Sequence, residues 1–565
     1  MSKTGKRQKA RDTGTRYRKG CAARAKTTSI GFSTTWTGRT ELAAACLLSL
    51  FIVALHLAFR ASAGPLWRDE VNSINMATLA TVPDIWDHLK WDSFPILFSL
   101  VLRGWANLGG GSDAGLRLFG LLVGLLLLGS LWLSSRLLSS RLPILSLSIF
   151  GLNSVALVYG DSIRPYGLGL LFIVLTFAFV WRVAEVPRTG RVVLAALAAM
   201  LSVQCMYQNA LLVLAIIMGG VAVTVRHRLW RRSALLIGVG IMAAVSLVPY
   251  WPAVSQGRDW MAITKGSIGL DFVGQRLMSS LEASSDFMPW VWLATLMVSL
   301  VVTPYFQLHG SPAEATDFRS DVTLYCLVAL LIGGISFLAL TLALGVPPAL
   351  WHFLPVMALA AVAMDGILGT IAPAIAWRAA LALGIWLVSG PTVWSNVHQR
   401  LTNMDSVAGL LKAKAQANDL VLVNPWYCAV GLSRHYQAGT SLETLPPMGD
   451  SRIHRYDLLK KQMLMPNAIA PVLTRMQETL QGGGRVWIVG GLQYESGSEP
   501  PSPLPPAPRL PSGWWYGPYM SNWEKQAAYF LQTHALQIDL ALEPTKYPAV
   551  NPLENCPVFV VQGWK

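Results

Sequence analysis

Apolar runs of about twenty residues recur along the first 395 residues of this chain, and they leave few folds open. As helix, such a run crosses the hydrocarbon core of a bilayer, which is about 30 Å thick. Inside lipid every backbone polar group must be bonded within the protein, so only helices and closed barrels span it. Barrel strands alternate polar and apolar residues, and these runs do not. Composition agrees: 53% of residues are hydrophobic and only 13% charged, against about 25% charged in soluble domains. The sequence therefore predicts a polytopic α-helical membrane protein.

The basic residues orient it. Met1 to Thr40 is rich in Lys and Arg, with Asp12 its only acid, and residues 1–41 read as a disordered cytoplasmic tail. Leu42–Phe59 reads as a retained span, because the tail before it is long for a signal peptide and no small-residue cleavage site follows. Pro95 to Leu108 tempts as a second span but reaches only about 21 Å as helix, carries Arg103 at its middle, and lies among interface-loving Trp86, Trp91 and Trp105. It reads as an amphipathic helix on the outer surface. Later spans then run near Gly115–Leu133, Leu142–Tyr159, Pro165–Val180, Val192–Tyr207, Ala210–Val225, Ala234–Tyr250, Met288–Tyr305, Val322–Leu344, Trp351–Ile371 and Ala379–Val393, about eleven in all. This choice leaves Arg136, Arg141, Arg182, Arg188, Arg191, Arg226, Arg228, Arg231 and Arg232 in cytoplasmic loops, as the positive-inside rule requires. The net charge of +15 is thus topological, and no nucleic-acid partner is expected. The expected location is the plasma (inner) membrane, multi-pass, with the C-terminus outside.

Three units follow: the tail, a membrane domain over 42–394 whose outer loop covers 61–114, and a small extracytoplasmic α/β domain over 395–565. In the last, Asp419–Pro425, Arg485–Gly491 and Pro557–Gln562 read as strands, and Thr402–Ala417 and Asn522–Thr533 as helices. Gln256–Phe287 reads as an outer loop of mixed polarity, and Glu499–Pro511 as a Pro-rich flexible loop. Gly482–Gly484 precedes a strand, so it is no phosphate-cradling loop. The six cysteines have no metal-ligand spacing. Cys428 and Cys556 share the last domain, where two free buried thiols are favoured over a disulfide.

Four polar clusters meet at the outer face under this topology: Arg68-Asp69-Glu70, Asp113 to Arg117, Asp161-Ser162-Ile163-Arg164-Pro165-Tyr166, and Trp351-His352. Acids and arginines gathered at one face suit a phosphate-bearing substrate. Arginine binds phosphate bidentately, and a carboxylate takes a proton from an attacking hydroxyl. Each residue also has a plain reading. Arg117 can snorkel to the interface, Arg164 can pair with Asp161, and His352 can sit at a helix end with no further role.

Trp67-Arg68-Asp69-Glu70 after the first span resembles the Asp-Glu motif of GT-C superfamily membrane glycosyltransferases, and in particular the protein O-mannosyltransferase and aminoarabinose-transferase group. Phe94 to Arg103, Ala114 to Gly120 and Tyr159 to Tyr166 resemble, in order, that group's proline-led juxtamembrane helix, arginine-bearing second span and Arg-Pro-Tyr turn. The resemblance covers about Leu42 to Arg182. The chain departs from the group's pattern in having the single Pro95, Asp161-Ser162 before Arg164, and Trp351-His352 where Arg-Tyr is common. The resemblance implies a GT-C-like fold and inverting transfer of a hexosyl or pentosyl group. The donor would be a polyprenyl-phosphate sugar, and the acceptor a hydroxyl of a protein, lipid or cell-wall glycan. Asp69 would be the base and Glu70 its partner or the acceptor's. Arg164 would hold the donor phosphate with Arg117 in support, Tyr166 and His352 would line the site, and Asp161 would meet sugar hydroxyls or Arg164. No cofactor is certain, and a divalent metal through Asp69 and Asp161 stays open. A divalent metal would have only Asp69 and Asp161 as ligands, which is thin ligation.

Two other classes compete. A transporter or flippase places charges near the midplane, often in inverted repeats, whereas these spans are almost free of acids, Asp365 excepted. A polysaccharide polymerase or ligase needs paired arginines in a large outer loop, and Gln256–Phe287 offers Arg258 and Arg276.

Overall fold

The computed structural model describes residues 36–138, 141–266, 268–309, 314–370, 377–437, 439–495, 499–508, 514–546 and 548–565. The expected disordered tail falls almost wholly outside them.

The chain opens with α1 (Trp36–Ser62), then three short helices, α2 (Arg68–Ala77), α3 (Val82–His88) and α4 (Leu97–Trp105). The membrane domain continues through α5 (Asp113–Leu138), α6 (Ile144–Ile149), α7 (Ser154–Gly160), α8 (Tyr166–Glu185), α9 (Thr189–Cys205), α10 (Asn209–Arg226) and α11 (Trp230–Val245). It closes with α12 (Trp251–Met261), α13 (Leu270–Glu282), α14 (Met288–His309), α15 (Glu314–Leu344), α16 (Leu354–Leu368) and α17 (Trp377–Val397). Among the described residues, 8 helices are long and apolar enough to cross a membrane, and α9 and the Met288–Val301 part of α14 are shorter apolar helices. The protein is thus a largely helical, multi-pass membrane protein.

Against the eleven expected spans, eight helices among the described residues reach a crossing length; Val192–Tyr207 and Met288–Tyr305 fall on the two shorter apolar helices, and Leu142–Tyr159 is not a single helix. It is broken into α6 and α7, with Phe150–Asn153 between them. Asn153 causes the restart. Its side chain accepts from Ala156 N at 3.0 Å, an N-cap that hydropathy does not register, and its Nδ2 donates to Ser280 O at 2.9 Å. The expected outer loop over Gln256–Phe287 is mostly helix: α12 starts on Pro252 and α13 carries Asp271 in its first turn, both good helix openings. The surface helix is shorter than expected, at 9 residues, and Arg103 ties it back to the carbonyls of Ala77 and Leu79 at 3.1 and 2.5 Å.

Beyond α17 the chain forms a separate layer. Its five strands are β1 (Leu420–Val423), β2 (Ser441–Thr444), β3 (Val486–Val489), β4 (Ala535–Leu542) and β5 (Val558–Trp564), in the order β2-β1-β3-β5-β4. β1 lies parallel to β2 and β3, while β5 is antiparallel to β3 and β4. Period-two alternation sends Leu420 and Leu422 to one face and Val421 and Val423 to the other, and both faces are packed by helices. The expected strands are central. The edge strands β2 and β4 went unexpected, β4 because it follows the helix Gly517–His534 with no turn signal between. Cys428 and Cys556 are free and buried, with sulfurs 4.0 Å apart.

This domain is docked on the membrane domain at the end of the bundle where α1 finishes and α5 starts. Glu554 accepts from the main-chain N of Arg68 at 3.1 Å, Arg434 pairs with Asp113 at 2.6 Å, and Lys460 pairs with Asp259 at 2.5 Å. Trp260 of α12 stacks on Tyr456 at 5.6 Å. The helices read as an outer loop therefore link the two domains.

Candidate active site

The first turn of α2 carries the two acids, and helix geometry parts them. Adjacent residues on a helix point about 100° apart. Glu70 turns inward and is fully buried. It accepts from Trp67 N at 3.2 Å, closing a cap on its own helix, from Arg117 at 2.6 Å, and from Ile163 N at 2.9 Å. Arg117 completes the brace: its other two nitrogens donate to Gly64 O at 3.3 Å and Pro65 O at 2.8 Å. So Glu70 joins α2, α5 and the turn after α7. Arg117 is buried rather than snorkelling, and each of its nitrogens makes a bond within the fold. A buried pair like this one needs its surrounding hydrogen bonds to offset the loss of hydration.

Asp69 turns the other way. Its closest cationic atoms are Arg68 Nε at 3.8 Å and His454 Nδ1 at 3.9 Å, both beyond hydrogen-bond reach. Burial alone would raise its pKa, but Arg164, His454 and Arg68 together outweigh that and hold the carboxyl below its usual range. It is therefore an anion with open lone pairs. Arg164 reaches α2 from the turn before α8. It donates to the main-chain oxygen of Asp69 at 3.2 Å and to Ser73 Oγ at 3.0 Å, lies over the ring of Phe94 at 4.9 Å, and leaves its Nε buried with no partner. The carboxylate and the guanidinium are neighbours that do not bond each other.

Aromatic rings wall the space around them. Tyr159 stacks on Trp351 at 4.2 Å, and Trp67 meets both edge-on. Tyr166 meets Phe94 edge-on at 5.5 Å and His352 at 6.4 Å. His352 Nδ1 accepts from Ala349 N at 3.2 Å, so its neutral ring carries hydrogen on Nε2 and can donate.

Asp161 lies apart from Arg164, and the pair between them, one of two roles expected of Asp161, does not form. Asp161 Oδ2 bonds His56 Nδ1 at 2.7 Å, a lone histidine inside α1. The turn sinks between helices because Gly120 and Gly124 of α5 have no side chain. A Cβ on the first would collide with Asp161 O, and on the second with the Asp161 carboxylate and the His56 ring.

The structure thus brings Asp69, Arg164, Tyr166 and His352 to one rim, puts Glu70 and Arg117 behind them, and sets Asp161 deeper. Two rim residues were not expected. Asp92 lies within the field of Arg164 and Asp69, and burial raises its pKa. His454 comes from the C-terminal domain, with its main-chain N donating to Asn72 Oδ1 at 2.8 Å. Nothing in the local sequence marks either. On the C-terminal side of α2 a cleft of about 730 Å³ opens between the domains, lined by Asn75, Thr78, His88, Asp113, Arg434 and Arg452 among others. Among the described residues no three His, Cys, Asp or Glu side chains converge as metal ligands.

No family model and no curated protein matches this chain. Among solved structures it resembles ArnT from Cupriavidus metallidurans. The apo crystal structure matches at 15% identity over 80% of this chain and 93% of that one, with a TM-score of 0.42. The structure bound to undecaprenyl phosphate matches at 14% identity over 78% and 92%, with a TM-score of 0.36. Superpositions this loose carry no argument about chemistry.

Proposed function

We propose that the protein is a glycosyltransferase that moves a sugar from a polyprenyl-phosphate-linked donor to a hydroxyl acceptor. Transfer takes place at the membrane face opposite the arginine-rich loops, which the positive-inside rule makes the outer face. One observation carries the reading: an ionised carboxylate without hydrogen bonds, Asp69, stands beside a guanidinium with a bare buried Nε, Arg164, and the two are not paired.

That arrangement suits displacement of a phosphate. A lipid phosphodiester leaves as an anion, so the step needs a cation at the leaving group and a base at the incoming oxygen, not a strong acid. Arg164 is the cation and Asp69 the base. Phosphate at Arg164 cancels the charge that most lowers Asp69's pKa, so donor binding strengthens the base. His352 Nε2–H donates to the phosphate or the sugar, and Tyr159, Tyr166 and Trp351 offer ring faces to it. Glu70 and Arg117 fix the first turn of α2 against the Ile163 turn. A single displacement without a second carboxylate nucleophile inverts the anomeric carbon. Arg164 takes the place of a divalent ion, for which Asp69 and Asp161 provide too few oxygens. The acceptor approaches through the polar cleft beside α2.

The test is transfer from a panel of radiolabelled polyprenyl-phosphate sugars in membranes. Asp69→Asn and Arg164→Ala should abolish transfer while the protein remains folded, and wild-type rates in a folded Asp69→Asn would end the reading. Orientation is checked with Leu108→Cys, a rim position 86% exposed. An impermeant maleimide should label it in intact cells, and labelling only after lysis would invert the topology.

A further inference from the structure

His454 is the one imidazole that the C-terminal domain brings to Asp69. It rides on the stretch Asp450–Tyr456, which lies along α2. Asn75 Nδ2 donates to Arg452 O at 2.6 Å, and His454 N donates to Asn72 Oδ1 at 2.8 Å. Arg455 clamps the stretch from behind, forked onto Asp457 at 2.8 Å and lying over Trp91 at 3.9 Å. The His454 ring meets Trp426 edge-on at 6.1 Å and Tyr456 at 6.4 Å. Its Nδ1 faces Asp69 Oδ1 at 3.9 Å, and its Nε2 is buried with no partner. A neutral imidazole has one N–H and one lone pair. With the N–H drawn to the carboxylate on the Nδ1 side, the lone pair is left on Nε2.

We infer that Asp69 and His454 form a carboxylate–imidazole dyad, in which His454 Nε2 takes the acceptor's proton and Asp69 holds the ring in its Nδ1–H tautomer. The inference rests on the proposed glycosyl transfer and deepens it: Asp69 acts as base through His454, which takes the proton while the carboxylate balances the charge that the ring gains. The acceptor O–H bond breaks and its proton goes to Nε2. The oxygen forms a bond to the anomeric carbon. The bond from that carbon to the phosphate oxygen breaks, and its electron pair leaves with the lipid phosphate beside Arg164. The charges facing His454 are Asp69, Arg68 and Arg164. Burial, with the two arginines, pushes its pKa down to about 4 although Asp69 acts the other way, so the ring is neutral near pH 7. For the dyad to form, the 3.9 Å separation must close by about 1 Å, to the length of an N–H···O bond. The gain for the enzyme is that transfer cannot begin until the C-terminal domain is docked.

The test has two arms on the full-length protein in nanodiscs. First, ¹⁵N-histidine spectra, with His454→Gln identifying the His454 signals, should show the Nδ1–H tautomer, and Asp69→Asn should shift it towards Nε2–H. An Nε2–H tautomer in the wild type overturns the dyad. Second, His454→Gln should lower kcat for sugar transfer by about 10²- to 10⁴-fold, the usual range for an acid–base group, with donor KM within about twofold. A folded His454→Gln turning over at the wild-type rate also overturns it. If the wild type transfers no polyprenyl-phosphate sugar, the functional reading falls, and the tautomer arm still decides the dyad.

Discussion

Two of the acids that lie beside arginine are finished differently: Asp69, half-buried at one rim of the bundle, and Asp365, buried near the other. Asp365 Oδ1 accepts from Arg378 at 2.5 Å, and Oδ2 accepts from Ser146 Oγ at 2.9 Å and from Ser146 N at 3.4 Å. Arg378 also donates to Leu142 O at 2.9 Å. That carboxylate is closed by its own fold and pins α16 to α6 and α17. The Asp69 carboxylate has arginines around it and no hydrogen bond; Arg164 beside it and Arg378 beside Asp365 each keep a buried Nε without a partner, so it is the carboxylates that differ. An unmet buried polar group costs about 1–3 kcal/mol, more when charged, so an unfinished pair persists only where other contacts hold it in place. Here Glu70 and Arg117 do the holding. The closed carboxylate is architecture, and on the proposed function the open one is where a ligand supplies the missing bonds.

Substitutions can break this comparison. The largest effect is expected from Asp69→Asn, which should cut transfer by about 10³- to 10⁴-fold and leave the thermal midpoint in detergent almost unmoved. Next, Asp365→Ala should cost about 3–5 kcal/mol of stability by stranding Arg378 in the bundle, while transfer per folded molecule stays intact; thermal unfolding beside active-site titration checks both halves. Were Asp365→Ala to lose activity without losing stability, the two regions would not differ in kind. Arg164→Lys keeps the charge but loses the fork, and should lower kcat/KM by about 10²-fold in the same membrane assay.

The smallest effect concerns the docking contact at Glu554. Burial raises its pKa from 4.5 to about 7 despite the neighbouring Arg68. The folded state therefore holds this proton more tightly than the unfolded chain does. The associated stability is complete below about pH 4.5 and is lost as pH rises through about 7, by at most about 3 kcal/mol. Midpoints measured from pH 5 to pH 8 should fall further in the wild type than in Glu554→Gln, and equal slopes would remove Glu554 from the docking balance.

Much of this was readable in advance, for one reason. Spans alternate direction, so counting them with the arginines assigns each loop to a face. That parity brings Asp69, Arg164, Tyr166 and His352 together from distant parts of the sequence. What parity cannot see is local or very long-range. The break at Asn153 depends on one side-chain cap inside an apolar run. The helices over 251–282 are amphipathic and bridge two domains, so their polarity resembles that of a loop. The partner of Asp161 is a single histidine within an apolar span, a signal present at His56 but without a predicted mate. His454 belongs to a domain whose sequence shows its strands and nothing of what its loops touch.

The clasp between Asn72 and His454 joins residues 382 positions apart. At about 5–20 residues per second of synthesis, α2 waits roughly 20 to 75 s before the ribosome has made its counterpart. Throughout that interval the first half of the molecule can already lie in the bilayer with Asp69 and Arg164 in place and His454 not yet beside them. On the proposed dyad, assembly order acts as a safety catch: the rim of a half-made chain lacks His454, and the pair is complete only when the last domain has folded and settled on it.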